Sequence, residues 1–192
     1  MGLAPVAFLN GSPWNGQARR YCIPQADTNA YAIGDPVTLA GSADANGVAT
    51  VVLMTPGSGM LGAIVSAGGL TYGGPSADPG NLNTTVIPAT KTKAYYVMVC
   101  DAPDVIYEVQ EIDTGTALAA ADVGLNTNLV AGTNSGYVSG WELGNAAKAV
   151  TATLDVKLLG LVQRHNNTFG DFAKWHVLVN NHVYASPGHL GL

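Results

Sequence analysis

The stretch VTATLDVKLLGLVQR, residues 150–164, alternates apolar and polar side chains through its first half. Ala152, Leu154, Val156 and Leu158 fall on one side, and Thr151, Thr153, Asp155 and Lys157 on the other. A period of two marks a half-buried strand. After the turn-forming HNNTFGDF, the segment AKWHVLVNNH resumes the alternation with Ala173, Trp175, Val177 and Val179 in one row. The two segments therefore predict an antiparallel hairpin with a shared apolar face. His176, opposite Trp175, is expected to face solvent.

Shorter runs upstream carry the same character. DPVTLAG opens a strand after Pro36, DANG around Asn46 and Gly47 is a turn signal, and VATVVLM returns, which makes a second hairpin. GMLGAIVSAGG, KAYYVMVC and VIYEVQEI read as further strands, the last two separated by DAPD, and residues 70–85 as a Gly/Pro/Asn loop. TALAAADVG is the one short helix candidate, with Gly124 as its stop. Turn-rich residues 128–145 read as an exposed loop with a brief strand. Some eight strands with no βαβ alternation predict an all-β fold, an antiparallel β-barrel or a jelly-roll-like sandwich.

Residues 1–33 follow neither period. Pro5, Pro13 and Pro24 interrupt them, yet Phe8, Leu9, Trp14, Tyr21, Ile23 and Tyr31 are too apolar for a solvated tail. This segment is expected to be an extended arm that packs on its own body or on another subunit; deleting residues 2–30 is then expected to leave a folded body. Residues 34–184 form the single β domain and 185–192 a short tail.

Composition narrows the function classes. Only 11% of the 192 residues are charged while 47% are hydrophobic, and there are 24 glycines. An average soluble chain has roughly 25% charged residues. A surface short of charge suits a protein packed against neighbours. The net charge is −5 and the eight Lys and Arg residues are scattered apart from Arg19 and Arg20, so no basic stripe for nucleic acid is expected. The start lacks a basic n-region, Val6 occupies the position where a myristoylation signal needs Ser or Thr, and no run of about eighteen apolar residues occurs; neither secretion nor membrane attachment is expected. Cys22 and Cys100, both in apolar surroundings, are expected to be buried free thiols.

Gly57, Gly59 and Gly62 spell G-x-G-x-x-G after a strand, but the β-branched AIVSAGG that follows is too short for the required helix, so the glycines read as a hairpin turn. His165, His176, His182 and His189 lack metal-ligand spacing. GYVSG has the wrong spacing for a nucleophile elbow. No catalytic residue, metal or cofactor is assigned, and an enzyme is not expected.

Five of the thirteen acidic residues crowd into DAPDVIYEVQEID: Asp101, Asp104, Glu108, Glu111 and Asp113. As a strand, Val105, Tyr107 and Val109 share an inner face that continues to Glu111, while Asp104 and Glu108 lie on the other, roughly 13 Å apart. The carboxylates do not converge for catalysis. A solvated strand edge, or an acidic docking edge at Asp104 and Glu108, remain as the two readings.

Three segments, FLNGSPWNGQARRYCIPQADTNAYAIGDPVTLAG, DAPDVIYEVQEID with ALAAADVGLN, and TATLDVKLLGLVQRHNNTFGDFAKWHVLVNNH, resemble the capsid cement or decoration proteins of tailed bacteriophages with podovirus-type heads. They cover about half of the chain and contain no catalytic motif. The resemblance implies a β-barrel or jelly-roll-like virion protein on the capsid outer surface, made in the host bacterial cytoplasm. Its implied partners are the major capsid protein and further copies of itself, with no direct nucleic-acid contact. Trp14, Arg19, Arg20 and Tyr21 are the expected contact residues, since aromatic side chains and Arg anchor interfaces. Alternatives are a tail or head-to-tail component, or a glycan-binding β-sandwich using Trp141, Tyr137 and Tyr72.

Overall fold

The computed structural model describes residues 2–67, 86–135 and 138–185. Fourteen strands fall within them, and the two longer alternating segments form the expected hairpin. In it β13 (Val156–Leu161) pairs antiparallel with β14 (Lys174–Val179), and Trp175, Val177, Val156 and Leu158 are buried. The alternation read into residues 151–155 does not persist. These residues form turns, and Asp155, assigned to the outer row, is fully buried.

The hairpin belongs to a five-stranded sheet in the order β1-β9-β14-β13-β10, with β1 at Ala4–Phe8, β9 at Val105–Gln110 and β10 at Asn126–Thr127. Val105, Tyr107 and Val109 face its core beside Trp175 and Leu158. The second body is a closed barrel of β2 (Arg19–Ile23), β5 (Ala49–Leu53), β4 (Pro36–Ala43), β6 (Gly62–Ala67) and β8 (Tyr95–Cys100). All its pairings are antiparallel except β2 with β5. Tyr21, Ile23, Val37, Val51, Ile64, Val97 and Val99 fill it. Two ribbons complete the fold: β3 (Tyr31–Ala32) with β7 (Val86–Ile87), and β11 (Leu129–Val130) with β12 (Glu142–Leu143).

The DANG turn forms as its residues predict. Asp44 Oδ1 accepts the amides of Asn46 and Val48, each at 2.8 Å, and Gly47 adopts φ +79°, a left-handed value that costs glycine nothing. Gly57 and Gly59 precede β6 and Gly62 opens it, and they do not close a hairpin. β5 and β6 flank β4 on either side, so this connection crosses the barrel end. At Gly62 the backbone of Cys100 approaches so closely that a Cβ would lie 1.9 Å from its carbonyl oxygen.

Two further expectations change. The helix candidate reduces to one 3-10 turn, Ala120–Asp122. A nine-residue run falls below the length at which helices are stable without a packed face, and the Leu118 amide is diverted to Glu111 Oε1 at 2.7 Å. The N-terminal arm is not an appendage. It supplies β1 to the sheet and β2 to the barrel, with Tyr21, Cys22 and Ile23 buried, so removing residues 2–30 would take a strand from each body. The 70–85 loop and nearly all of the 185–192 tail lie outside the described residues.

Candidate functional site

Arg19, Tyr21 and Ile23 share one face of β2, directed along the barrel interior, so Arg19 stands at the barrel mouth and Tyr21 one step inside. The register of β2 with β8 sets Arg19 opposite Val99, and Asp101 follows just beyond the end of β8. Tyr21 Oη donates to Asp101 Oδ2 at 2.6 Å and lies 3.1 Å from Tyr184 Oη. Arg19 Nε approaches the same carboxylate oxygen at 3.4 Å, and its guanidinium lies 5.9 Å from the centre of the Tyr184 ring. Burial, then the bond to Asp101, pushes the Tyr21 phenol far above its ordinary value. It is a permanent donor to Asp101.

The remaining wall is the segment after β14. Its His182 bridges to Met60, and His182 Nδ1 accepts the Tyr184 amide at 3.0 Å. Burial lowers the His182 pKa, with Asp101 acting in the opposite direction. The outcome is a polar plug in which Tyr21 and Asp101 are buried while Arg19 and Tyr184 are exposed. The Arg19 side chain is 70% accessible, yet Asp101 and the Tyr184 ring restrain it. An Arg braced against an aromatic ring gives up less conformational freedom on binding than a free one.

The four expected contact residues do not form one site. Arg19 and Tyr21 join the barrel mouth; Arg20 lies on the other face of β2, opposite Met98 in register. Trp14 sits apart, half-buried, in an apolar groove of about 310 Å³ lined with Leu3, Pro5, Ile33, Ile64 and Val65. Tyr184 and His182 could not be joined to Arg19 from the sequence, because they meet it only after some 160 residues of chain have closed around the barrel.

The acidic stretch is no open edge. β9 runs between β1 and β14, and Glu108 is buried beneath a two-pronged contact with Arg164, at 3.0 Å (Nη1 to Oε1) and 2.5 Å (Nη2 to Oε2), with Lys174 Nζ at 3.7 Å. Asp104 is exposed at the strand's start, so the two do not form a joint docking edge. Glu111, fully buried, accepts from the Leu118 amide, from Asn145 Nδ2 at 3.2 Å and from Trp175 Nε1 at 3.0 Å. Asp101 belongs to the plug. Three of the five carboxylates are therefore internal fasteners, each matched by donors as burial demands.

Trp141 is also buried, which removes it as a sugar platform; Tyr72, Tyr137 and His189 lie outside the described residues. His165 is exposed and His176 half-buried. Both cysteines are buried free thiols. Among the described residues no group of three or more His, Cys, Asp or Glu is placed to hold a metal ion. Comparison of the chain with family profiles, curated proteins and solved structures gives no match in any of the three.

Proposed function

We propose that this chain is a non-enzymatic structural protein of a tailed-phage virion, which binds the outside of the capsid and strengthens contacts between capsomers. The observation that carries the reading is the braced Arg19 and Tyr184 pair at the barrel mouth. It presents an interface-type Arg and aromatic side chain on a surface otherwise poor in charge. The resemblance noted in the sequence points the same way. The buried carboxylates add support, since their partners make them part of the scaffold rather than free for chemistry.

A protein of this kind works by linkage. It binds the assembled lattice better than dispersed subunits and so favours the lattice. Many copies on a symmetric shell add avidity, and a modest contact per copy is sufficient.

The test uses purified heads that lack this chain. Added protein is expected to bind with fixed stoichiometry and to raise the temperature at which heads release DNA. Arg19→Ala combined with Tyr184→Ala is expected to weaken binding at least tenfold while the barrel remains folded, because both side chains are exposed. Failure of the wild-type chain to bind such heads would refute the proposal. Point substitutions replace the arm deletion, which would dismantle the barrel.

A further inference from the structure

The loop between β13 and β14 carries two features that packing inside one chain does not explain. Phe169 and Phe172 are 48% and 52% exposed, and Phe172 has φ +62°, the one positive value among the described non-glycine residues. A bulky residue rarely adopts the left-handed region, and such strain persists only where surrounding structure enforces it. Asn167 pins the two ends of the loop together around it. Its Nδ2 donates to the carbonyls of Val162 and Lys174 at 2.8 and 2.9 Å, and its Oδ1 accepts the Lys174 amide at 2.9 Å. Phe169 leans on the Trp175 ring, 5.6 Å between centres. The loop is a stiff tip holding two phenyl rings half in water.

The same chain exposes an apolar recess. The groove of about 310 Å³ around Trp14 and Ile33 has no charged residue in its lining. Ile33 is 40% exposed, and its bridge partner Val138 47%, which extends the apolar surface beyond the groove. Tip and groove border the same part of β9: Glu108 is clasped by Arg164 at the base of the tip and stands in register with Ala4 of the groove wall.

From this we infer that two copies of the chain pair about a two-fold axis, each seating its Phe172 tip in the Trp14–Ile33 groove of the other. A two-fold pairing closes on itself and removes both exposed apolar features of both copies at once. The stiffness of the tip lowers the entropy lost on docking. An exchange confined to loop tips belongs with the small interfaces, below about 1,200 Å² in total, that are typical of weak, reversible association. This inference builds on the self-association expected of a shell protein, yet it concerns the purified chain and can fail while head binding stands.

Sedimentation equilibrium of the full chain tests it. The wild type is expected to be a dimer at ~100 μM that dissociates at low micromolar concentration. Phe172→Gly removes the ring and relieves the backbone, so it is expected to stay folded and become monomeric; Ile33→Glu, which blocks the groove, is expected to be monomeric too. Mixing the two variants restores one tip-in-groove contact, so the mixture is expected to associate more strongly than either alone. A monomeric wild type, variants that dimerise normally, or a mixture no better than its components would each overturn the pairing. So would binding to phosphatidylcholine vesicles that depends on Phe172 in a monomeric wild type, which would assign the tip to a lipid surface.

Discussion

Asp155 is a carboxylate whose protonation should be visible in the stability of the whole molecule. It is fully buried, its Oδ1 accepts the Gly57 amide at 2.7 Å and its Oδ2 the Leu129 amide at 2.9 Å. It thereby ties the barrel's β5–β6 connection to the β11 ribbon. Burial pushes its pKa up from 3.8 to about 6, against the pull of the two amides, and no charged side chain contributes. Lys157, two residues on, reaches away to the Gly124 carbonyl at 3.3 Å. The folded pKa lies above the unfolded one, so the folded chain holds the proton more tightly. The stabilisation is complete only below the unfolded pKa near 3.8 and disappears as pH rises through 6. A shift of about two units corresponds to roughly 3 kcal/mol. The assay is urea denaturation by tryptophan fluorescence at several pH values from 4 to 7, comparing wild type with Asp155→Asn. The substitution removes the titration, and its other costs are the same at every pH. The wild type should gain roughly 2.4 kcal/mol of this on the variant between pH 7 and pH 4. A difference that stays flat, or that falls with acid, would refute the reasoning.

Two other predictions concern buried groups. The Lys91 side chain is fully buried, with Nζ 2.7 Å from the Asp27 carbonyl, 2.6 Å from that of Asn29 and 3.0 Å from Asp27 Oδ1. Lys91→Met strands those acceptors and should cost about 3 kcal/mol or more in a urea midpoint analysis; a loss under about 1 kcal/mol would show the ammonium to be replaceable. Burial, with a smaller effect of Asp44, pushes the Cys22 thiol up to about 11, and burial raises Cys100 as well. At pH 8 about one Cys22 in a thousand is thiolate, so neither cysteine should react with iodoacetamide over an hour in the native protein, and both should react in urea. Native labelling at the rate of a free thiol would contradict their placement.

What the sequence made legible is what periodicity and turn chemistry encode. Trp175, Val177 and Val179 alternate without ambiguity, Val105, Tyr107 and Val109 likewise, and Asn46-Gly47 specifies a tight turn whatever surrounds it. The barrel was legible as a class, since short strands with small-residue turns have few other arrangements. Polar residues were the weak point. Alternation assigns Asp155 and Glu108 to solvent, because a pattern cannot reveal that two backbone amides or an Arg164 fork will meet them inside. Arg19, Asp101 and Tyr184 converge only through barrel closure, a long-range fact with no local trace. The helix candidate failed for the same reason: Leu118 is claimed by Glu111, a partner that local propensity does not see.

The placement of β1 and β2 fixes a temporal order. Arg19 faces Val99, and Ala4 faces Glu108. β1 and β2 leave the ribosome before β8 and β9, so neither is fully seated until some eighty to a hundred later residues have emerged. Pairings at such separations close large loops and slow folding. Once seated, the segment completes the barrel with one strand and extends the sheet with the other. Closing the barrel and extending the sheet thus both draw on this one segment, and a chain interrupted before β8 would have neither body finished.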